Sequence, residues 1–239
     1  MQLLLRFGSP RRAYTSWHTN AIYFALVSSP ASGTLRPGGR TARNRAAIFA
    51  ATLSQLAQHG YVDLSLDAVA ARAGVHKTTI YRRWPTREEL VAAAFMDVAE
   101  QRLDVADTGN IDRDARTLAR SVAATLAQPA VAAAVRATLA VSSAEIRDQI
   151  ARGFWGSREA AVGPLIERAM QRGQLPPSTD VNAVIAAMAA PLYFRLLVAN
   201  QPLTTASADT ASAAALAAAR AGAFKRNRRN AALRGVDER

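Results

Sequence analysis

Apolar residues recur at three- and four-residue steps from Arg43 almost to the end of the chain, and no segment sustains the alternation of a strand. Ala46, Phe49, Ala50, Leu53, Leu56 and Ala57 mark one face of a helix over about 43–58, and Gly60 supplies its stop. Ser65 is a good N-cap for the next helix, with Asp67 in its first turn. Leu66, Val69, Ala70 and Ala73 form its inner face, and Gly74 ends it. A third, short helix over 76–84 puts Ile80, Tyr81 and Trp84 on one side, and Pro85 stops it. Thr86 caps a fourth helix, where Glu88 and Glu89 sit near the positive end and Leu90, Val91, Ala94, Phe95 and Val98 form the face.

Beyond Asp104 the pattern stays helical and Ala-rich. Turn residues divide it into helices over 112–127, 130–141, 144–172, 180–199 and 206–223, with Gly153, Gly156 and Gly163-Pro164 as places where the longest would kink or split. The expected fold class is all-α: an N-terminal helix-turn-helix unit and a C-terminal helical domain, to which the resemblance given below assigns ligand sensing and dimerisation. Residues 28–42 are rich in Gly, Pro, Ser and Arg and read as a flexible basic arm. The expected divisions are an extension at 1–39, a helix-turn-helix domain at 40–87, a regulatory domain at 88–224 and a basic tail at 225–239.

Charge and composition narrow the function. Of 239 residues, half are hydrophobic and 20% charged, which fits a globular protein. There is no cysteine, which excludes disulfides, thiolate metal sites and cysteine nucleophiles. The three histidines, His18, His59 and His76, are too scattered for a His-x-x-x-His metal site. No catalytic residue, metal ligand or cofactor site is expected. The net charge of +12 points to a polyanionic partner, and it is concentrated at the chain ends: residues 1–62 hold seven arginines and no acid. The most apolar stretch, 181–199, is interrupted by Asn182, Pro191 and Arg195, so no membrane association is expected and the expected location is the cytoplasm. Arg11-Arg12 ahead of the seven-residue apolar run Ala21–Val27 has the outline of a secretion signal at its shortest, and Val27 is an alternative start that would leave out residues 1–26.

The chemistry lies in helices two and three. An eight- or nine-residue helix, a tight turn at Gly74-Val75 and a second short helix make a helix-turn-helix, whose second helix enters the major groove N-terminus first. His76, Lys77, Thr78 and Thr79 are placed to reach base edges or phosphates. Tyr81, Arg82 and Arg83 are placed to grip phosphate, as is Arg87 at the start of the fourth helix; Arg45 and Ser65 complete the candidate DNA-contacting set. His76 has an equal alternative as a solvated helix start. The run from Leu66 to Leu90 resembles the DNA-binding signature of the tetracycline-repressor (TetR) family: the Ala73-Gly74-Val75 turn, Tyr81 late in the recognition helix, an aromatic three residues later, and Arg87-Glu88-Glu89-Leu90. Trp84 stands where Phe is usual and Thr78 where Gly is commonest, so base preference does not transfer. Arg172-Gly173-Gln174-Leu175-Pro176-Pro177 and Pro191–Leu197 are similar to regulatory domains of one branch of that family.

The resemblance implies a transcriptional regulator, read here as a ligand-releasable repressor of a palindromic double-stranded DNA operator. It also implies a homodimer built from the last two helices, 180–199 and 206–223. Their alanines allow close approach, and Leu192, Leu196 and Leu197 are candidate anchors. The effector is an unknown small molecule. Phe154, Trp155, Met170, Met188 and Tyr193 are candidate pocket residues, with plain core packing as the alternative. Arg120, Arg136 and Arg195 lie on otherwise apolar helices, either to meet an anionic ligand or to snorkel. A second functional class, an all-α hydrolase or transferase with incidental basic ends, lacks a nucleophile–base or metal constellation.

Overall fold

Nine helices make up most of the residues that the computed structural model describes, which are 39–100, 103 and 105–225. In chain order they are α1 (Gly39–His59), α2 (Leu66–Ala73), α3 (Lys77–Tyr81), α4 (Arg87–Glu100), α5 (Ile111–Leu126), α6 (Pro129–Leu139), α7 (Ala144–Gln171), α8 (Val181–Leu197) and α9 (Thr205–Arg220). The described residues contain no strand, in line with the missing alternation. Residues 1–38 and 226–239, nearly all of the expected extension and tail, lie outside them.

Local boundaries differ from the periodicity in instructive ways. α1 begins at Gly39, so Gly39–Ala42 are helix and not arm. Once Ile48, Phe49, Leu53 and Leu56 fix the helix by burial, each residue added at its end gains a hydrogen bond with no new nucleation cost. The buried face of α1 is also turned from the expected one: Ile48 and Thr52 are inside, whereas Ala46 and Ala57 are exposed. Thr52 tolerates burial because its hydroxyl donates to the Ile48 carbonyl at 2.8 Å. α3 ends at Tyr81, short of Trp84. Pro85 disfavours helical backbone at Trp84, and the chain closes in tight turns in which the Arg83 and Trp84 amides donate to the Ile80 carbonyl at 2.9 and 2.8 Å. α7 runs unbroken through Gly163 and Pro164.

The first three helices enclose a small core with the start of α4. Ile48, Val69, Ile80 and Leu90 are completely buried, and Trp84 packs 5.3 Å from Phe49. Each such aliphatic side chain contributes about 1.5–3 kcal/mol by leaving water. α4 then passes into the larger bundle and packs on α6 and α7, while α9 packs on α5 and α8. The second core gathers Ile111, Leu118, Leu165, Ile166, Val184, Met188 and Leu216 from α5, α7, α8 and α9.

The loop after α4 is pinned from both sides. Asp107 accepts a bidentate pair from Arg172 at 2.8 and 3.1 Å and a further bond from Arg168. Buried Asp114 accepts from the Thr108 amide at 2.9 Å and its hydroxyl at 2.7 Å. The Gln174 side chain accepts from the Ile111 amide at 3.2 Å and donates to the Gly109 carbonyl at 2.7 Å. Gly173, at φ +72°, supplies the left-handed turn that brings Gln174 there, and Leu175 is buried beside it. The Arg-Gly-Gln-Leu run is thus a splice between the end of α7 and the start of α5.

Arg172, then Arg168, hold the Asp107 carboxyl well below the usual carboxylate range. A depressed carboxylate stabilises the fold above its unfolded pKa of about 4 and loses that contribution as pH falls below it. Asp107→Asn should therefore lower the urea midpoint at pH 7, and its deficit against the wild type should start to shrink only below about pH 4 and persist in part at pH 3. An equal acid-induced drop in both proteins would assign the loss to other groups.

Candidate functional site

The α2–α3 turn depends on one backbone conformation. Gly74 sits at φ +65°, which lets the Val75 amide donate to the Ala70 carbonyl at 3.1 Å and starts a new helix across the old one. The Ser65 hydroxyl accepts from the Ala68 amide at 3.3 Å and keeps its own proton free to donate outward. His76 is the extended residue at the head of α3. His76, Lys77 and Thr78 are exposed and Thr79 is half-buried, while Ile80 anchors the helix from beneath. The His76 Nδ1 and Thr78 hydroxyl lie 3.0 Å apart, so these two side chains orient one another.

Two of the expected DNA-contacting groups converge on an acid. The Tyr81 hydroxyl donates to Asp67 at 3.2 Å, and the Lys77 ammonium lies 3.7 Å from the same carboxylate. Asp67 therefore does more than favour the positive end of α2: it is an internal counter-ion for the recognition helix. Arg82 is exposed with no side-chain partner among the described residues, and exposed Arg83 lies 6.0 Å from the Trp84 ring.

Arg87 and Arg45 point elsewhere. Arg87 is half-buried, donates to the Tyr61 carbonyl at 3.1 Å and to the Val62 carbonyl, and lies 5.0 Å from the Tyr61 ring. It ties the start of α4 to the corner between α1 and α2. Arg45 pairs with Asp97 of α4 at 3.1 Å and lies 5.7 Å from the Phe49 ring. Both side chains position helices in this structure.

Glu88 has a role that no local pattern signals. Its carboxylate accepts from the Ser142 amide and hydroxyl at 2.8 and 2.6 Å, the Ser143 amide at 3.2 Å and the Tyr61 hydroxyl at 3.5 Å. The Ser142 bonds hold its carboxyl below the ordinary range. Its neighbour Glu89 forms a reciprocal capping box with Thr86, two bonds of 3.2 Å each.

A cavity of about 180 Å³ opens inside the larger bundle. Of the expected pocket residues, Phe154, Trp155, Met188 and Tyr193 line it. Met170 does not; it packs against the core of α5, α7, α8 and α9. Phe95, Val98 and Ala99 bring α4 into the wall, and Arg158 is its charged member. Arg120, Arg136 and Arg195 stay outside the lining. Arg120 forms a bidentate pair with Asp209 at 2.6 and 2.7 Å, while Arg136 and Arg195 donate to the carbonyls of Leu196 and Pro202. No group of three or more His, Cys, Asp or Glu converges as a metal site among the described residues, and no single helix there is long and apolar enough to cross a membrane.

Leu192 and Leu196, expected as dimer anchors, are buried inside the chain, because the apolar face that holds them also closes the core. The outward stripe of α8 is instead Ala186, Ala190, Phe194 and Val198, with Phe194 58% and Val198 70% exposed. Exposed Ala206, Thr210, Ala213 and Ala217 make the matching stripe on α9.

Comparison with known proteins adds to this geometry. The family model for bacterial regulatory proteins of the tetR family matches residues 48–94, and that for the tetracyclin repressor-like C-terminal domain matches residues 105–215. An uncharacterized HTH-type transcriptional regulator of Mycobacterium bovis is 33% identical over 159 residues, 66% of this chain and 78% of the relative. The HTH-type transcriptional regulator AqdR of Rhodococcus erythropolis is 29% identical over 159 residues, 66% of this chain and 77% of its own length. The crystal structure of FadR from Bacillus subtilis in complex with stearoyl-CoA has the same fold, with a TM-score of 0.58 at 18% identity over 74% of this chain and 98% of that one.

The Asp67 interactions should alter duplex binding measurably. Asp67→Ala should strengthen binding to random duplex and steepen the slope of log K against log salt by about 1, because it frees Lys77 for phosphate. Arg82→Ala should weaken all duplexes alike, whereas Lys77→Ala or Thr78→Ala should change base preference by about 1–3 kcal/mol for each bidentate base pairing removed. A randomised duplex library separates the two patterns, and a uniform loss for Lys77→Ala and Thr78→Ala would reverse the assignment of those two residues.

Proposed function

The chain belongs to the tetR family of bacterial regulatory proteins, and from that premise we propose that it is a dimeric repressor of transcription, released from its operator by a small molecule that enters the α4–α8 cavity. The observation that carries the reading is the course of α4. Its first residues, Arg87 and Glu88, are tied to the helix-turn-helix corner and to the α6–α7 turn. Its later residues, Phe95, Val98 and Ala99, are cavity wall. The helix is 14 residues and so about 20 Å long, and it cannot move at one end without moving at the other.

DNA recognition is assigned to His76, Lys77, Thr78 and Thr79 for bases and to Ser65, Tyr81, Arg82 and Arg83 for phosphates, on the strength of their exposure and polarity. One such helix covers only a few base pairs, too little for specificity in a genome, so a two-fold pair of them on a palindrome is required. The exposed stripes of α8 and α9 support the pairing surface. Their side chains are mostly alanine, which permits close approach, and Phe194 and Val198 would be costly to leave in water. A ligand that prefers one spacing of the paired recognition helices shifts the population toward it. A cytoplasmic location follows from this role. The FadR complex with stearoyl-CoA supports a small-molecule effector in this fold, although a cavity of about 180 Å³ is too small for a long acyl chain.

The test combines assembly with recovery of the DNA target. Genomic fragments selected with the purified protein should share an inverted repeat. Ala190→Glu and Phe194→Glu, each placing a charge on the outward stripe, should give a folded monomer by sedimentation and at least about a hundredfold weaker operator binding. A wild-type monomer that holds a single half-site tightly would sink the dimer and the switch built on it.

A further inference from the structure

One wall of the cavity carries a charge that no described side chain compensates. Arg158, on α7, is the sole charged side chain among the described lining residues, and no carboxylate among the described side chains pairs with it. Its guanidinium donates to the Ala99 carbonyl in the last turn of α4 and lies 5.0 Å from the Phe154 ring centroid. Burial pushes its pKa down, and the neighbouring Tyr193 partly opposes that shift. A guanidinium has five donors in a fixed fork, and a single neutral carbonyl leaves most of them for another acceptor.

A second donor stands around the same ring. Tyr193, on α8, meets Phe154 edge-on at 6.5 Å, and its hydroxyl has no hydrogen-bond partner among the described residues. Burial raises its pKa, so it stays protonated and able to donate. The rest of this wall is aromatic: Phe95 lies 5.5 Å and Trp155 5.2 Å from Phe154. A cavity of about 180 Å³ holds roughly one ring with a short substituent, given that one near 150 Å³ takes benzene.

We propose that the cavity takes a compact aromatic carboxylate, its ring against Phe154 and Trp155 and its carboxylate held by the Arg158 guanidinium and the Tyr193 hydroxyl. This rests on the reading of the cavity as the effector site and names the chemical class that site selects. The carboxylate competes with the Ala99 carbonyl for the same guanidinium, so occupancy is felt at the far end of α4 from Arg87.

The test uses the full chain and calorimetric titration with benzoate and 3-phenylpropionate, their neutral amides, and octanoate. The wild type should bind each aromatic acid about tenfold or more tightly than its amide. Arg158→Met should bring acid and amide within a factor of about two while leaving the amide affinity in place, and Arg158→Lys should keep part of the preference. Tyr193→Phe should weaken the acids several-fold and the amides less. A wild type that binds amides as well as acids overturns the proposal and leaves the effector-site reading standing, as does octanoate binding more tightly than 3-phenylpropionate. An acid preference that survives Arg158→Met places the anion elsewhere and also overturns it. No binding of any acid, amide or octanoate overturns both this inference and the effector site.

Discussion

A single carboxylate joins the two halves of this molecule. Glu88 stands in the first turn of α4, yet its acceptors are used on the turn before α7 and on Tyr61 at the corner of the small domain. The two amides and the hydroxyl at Ser142 and Ser143 sit just ahead of α7, whose N-cap is Ser143, so Glu88 braces the entry to a helix more than 50 residues away. With Arg87 fixed to the carbonyls of Tyr61 and Val62, the start of α4 has no freedom of its own. Every later packing partner of that helix, from Phe95 to Ala99, inherits its position from this joint.

Arginine–aspartate pairs do the same work elsewhere in the larger domain. Asp107 with Arg168 and Arg172, Asp112 with Arg220, and Asp209 with Arg120 each link elements that are distant in sequence. All are partly exposed, so each is worth little alone. Their fork geometry fixes register between Ala-rich helices, whose small side chains interlock weakly. Arg158 departs from this pattern by facing the cavity with no acid among the described side chains beside it, which leaves its fork open to a ligand.

Much of the fold is legible in the sequence, for a definite reason. Helix periodicity, Gly74, Pro85 and the caps at Ser65 and Thr86 are local signals, and each marks the element it should. The five residues read as the inner face of α4, Leu90, Val91, Ala94, Phe95 and Val98, are all buried, and Ala92 joins them unread. What stays hidden is non-local. Nothing near Arg87 reveals carbonyls 25 and 26 residues upstream, and nothing near Glu88 reveals the serines 54 and 55 residues downstream. Leu192 and Leu196 look like anchors because a helix that is apolar on several sides does not say which side meets the core and which stays outside. The cavity is half legible: aromatic residues flag α7 and α8, but the Arg158 charge is invisible until α4 is folded against it.

Asp67 bears on time as well as on affinity. A regulator must find one site among millions, and the search is slowed by every stop on unrelated duplex. A carboxylate that holds Lys77 and Tyr81 in the free protein would lower the lifetime of each such stop if those groups meet phosphate as proposed, since the phosphate must displace it first. At the correct sequence the base contacts supply the additional free energy for that exchange. On the proposed assignment of Lys77 and Tyr81 to DNA, the acid at the start of α2 would shorten residence on the wrong DNA and let the protein move on.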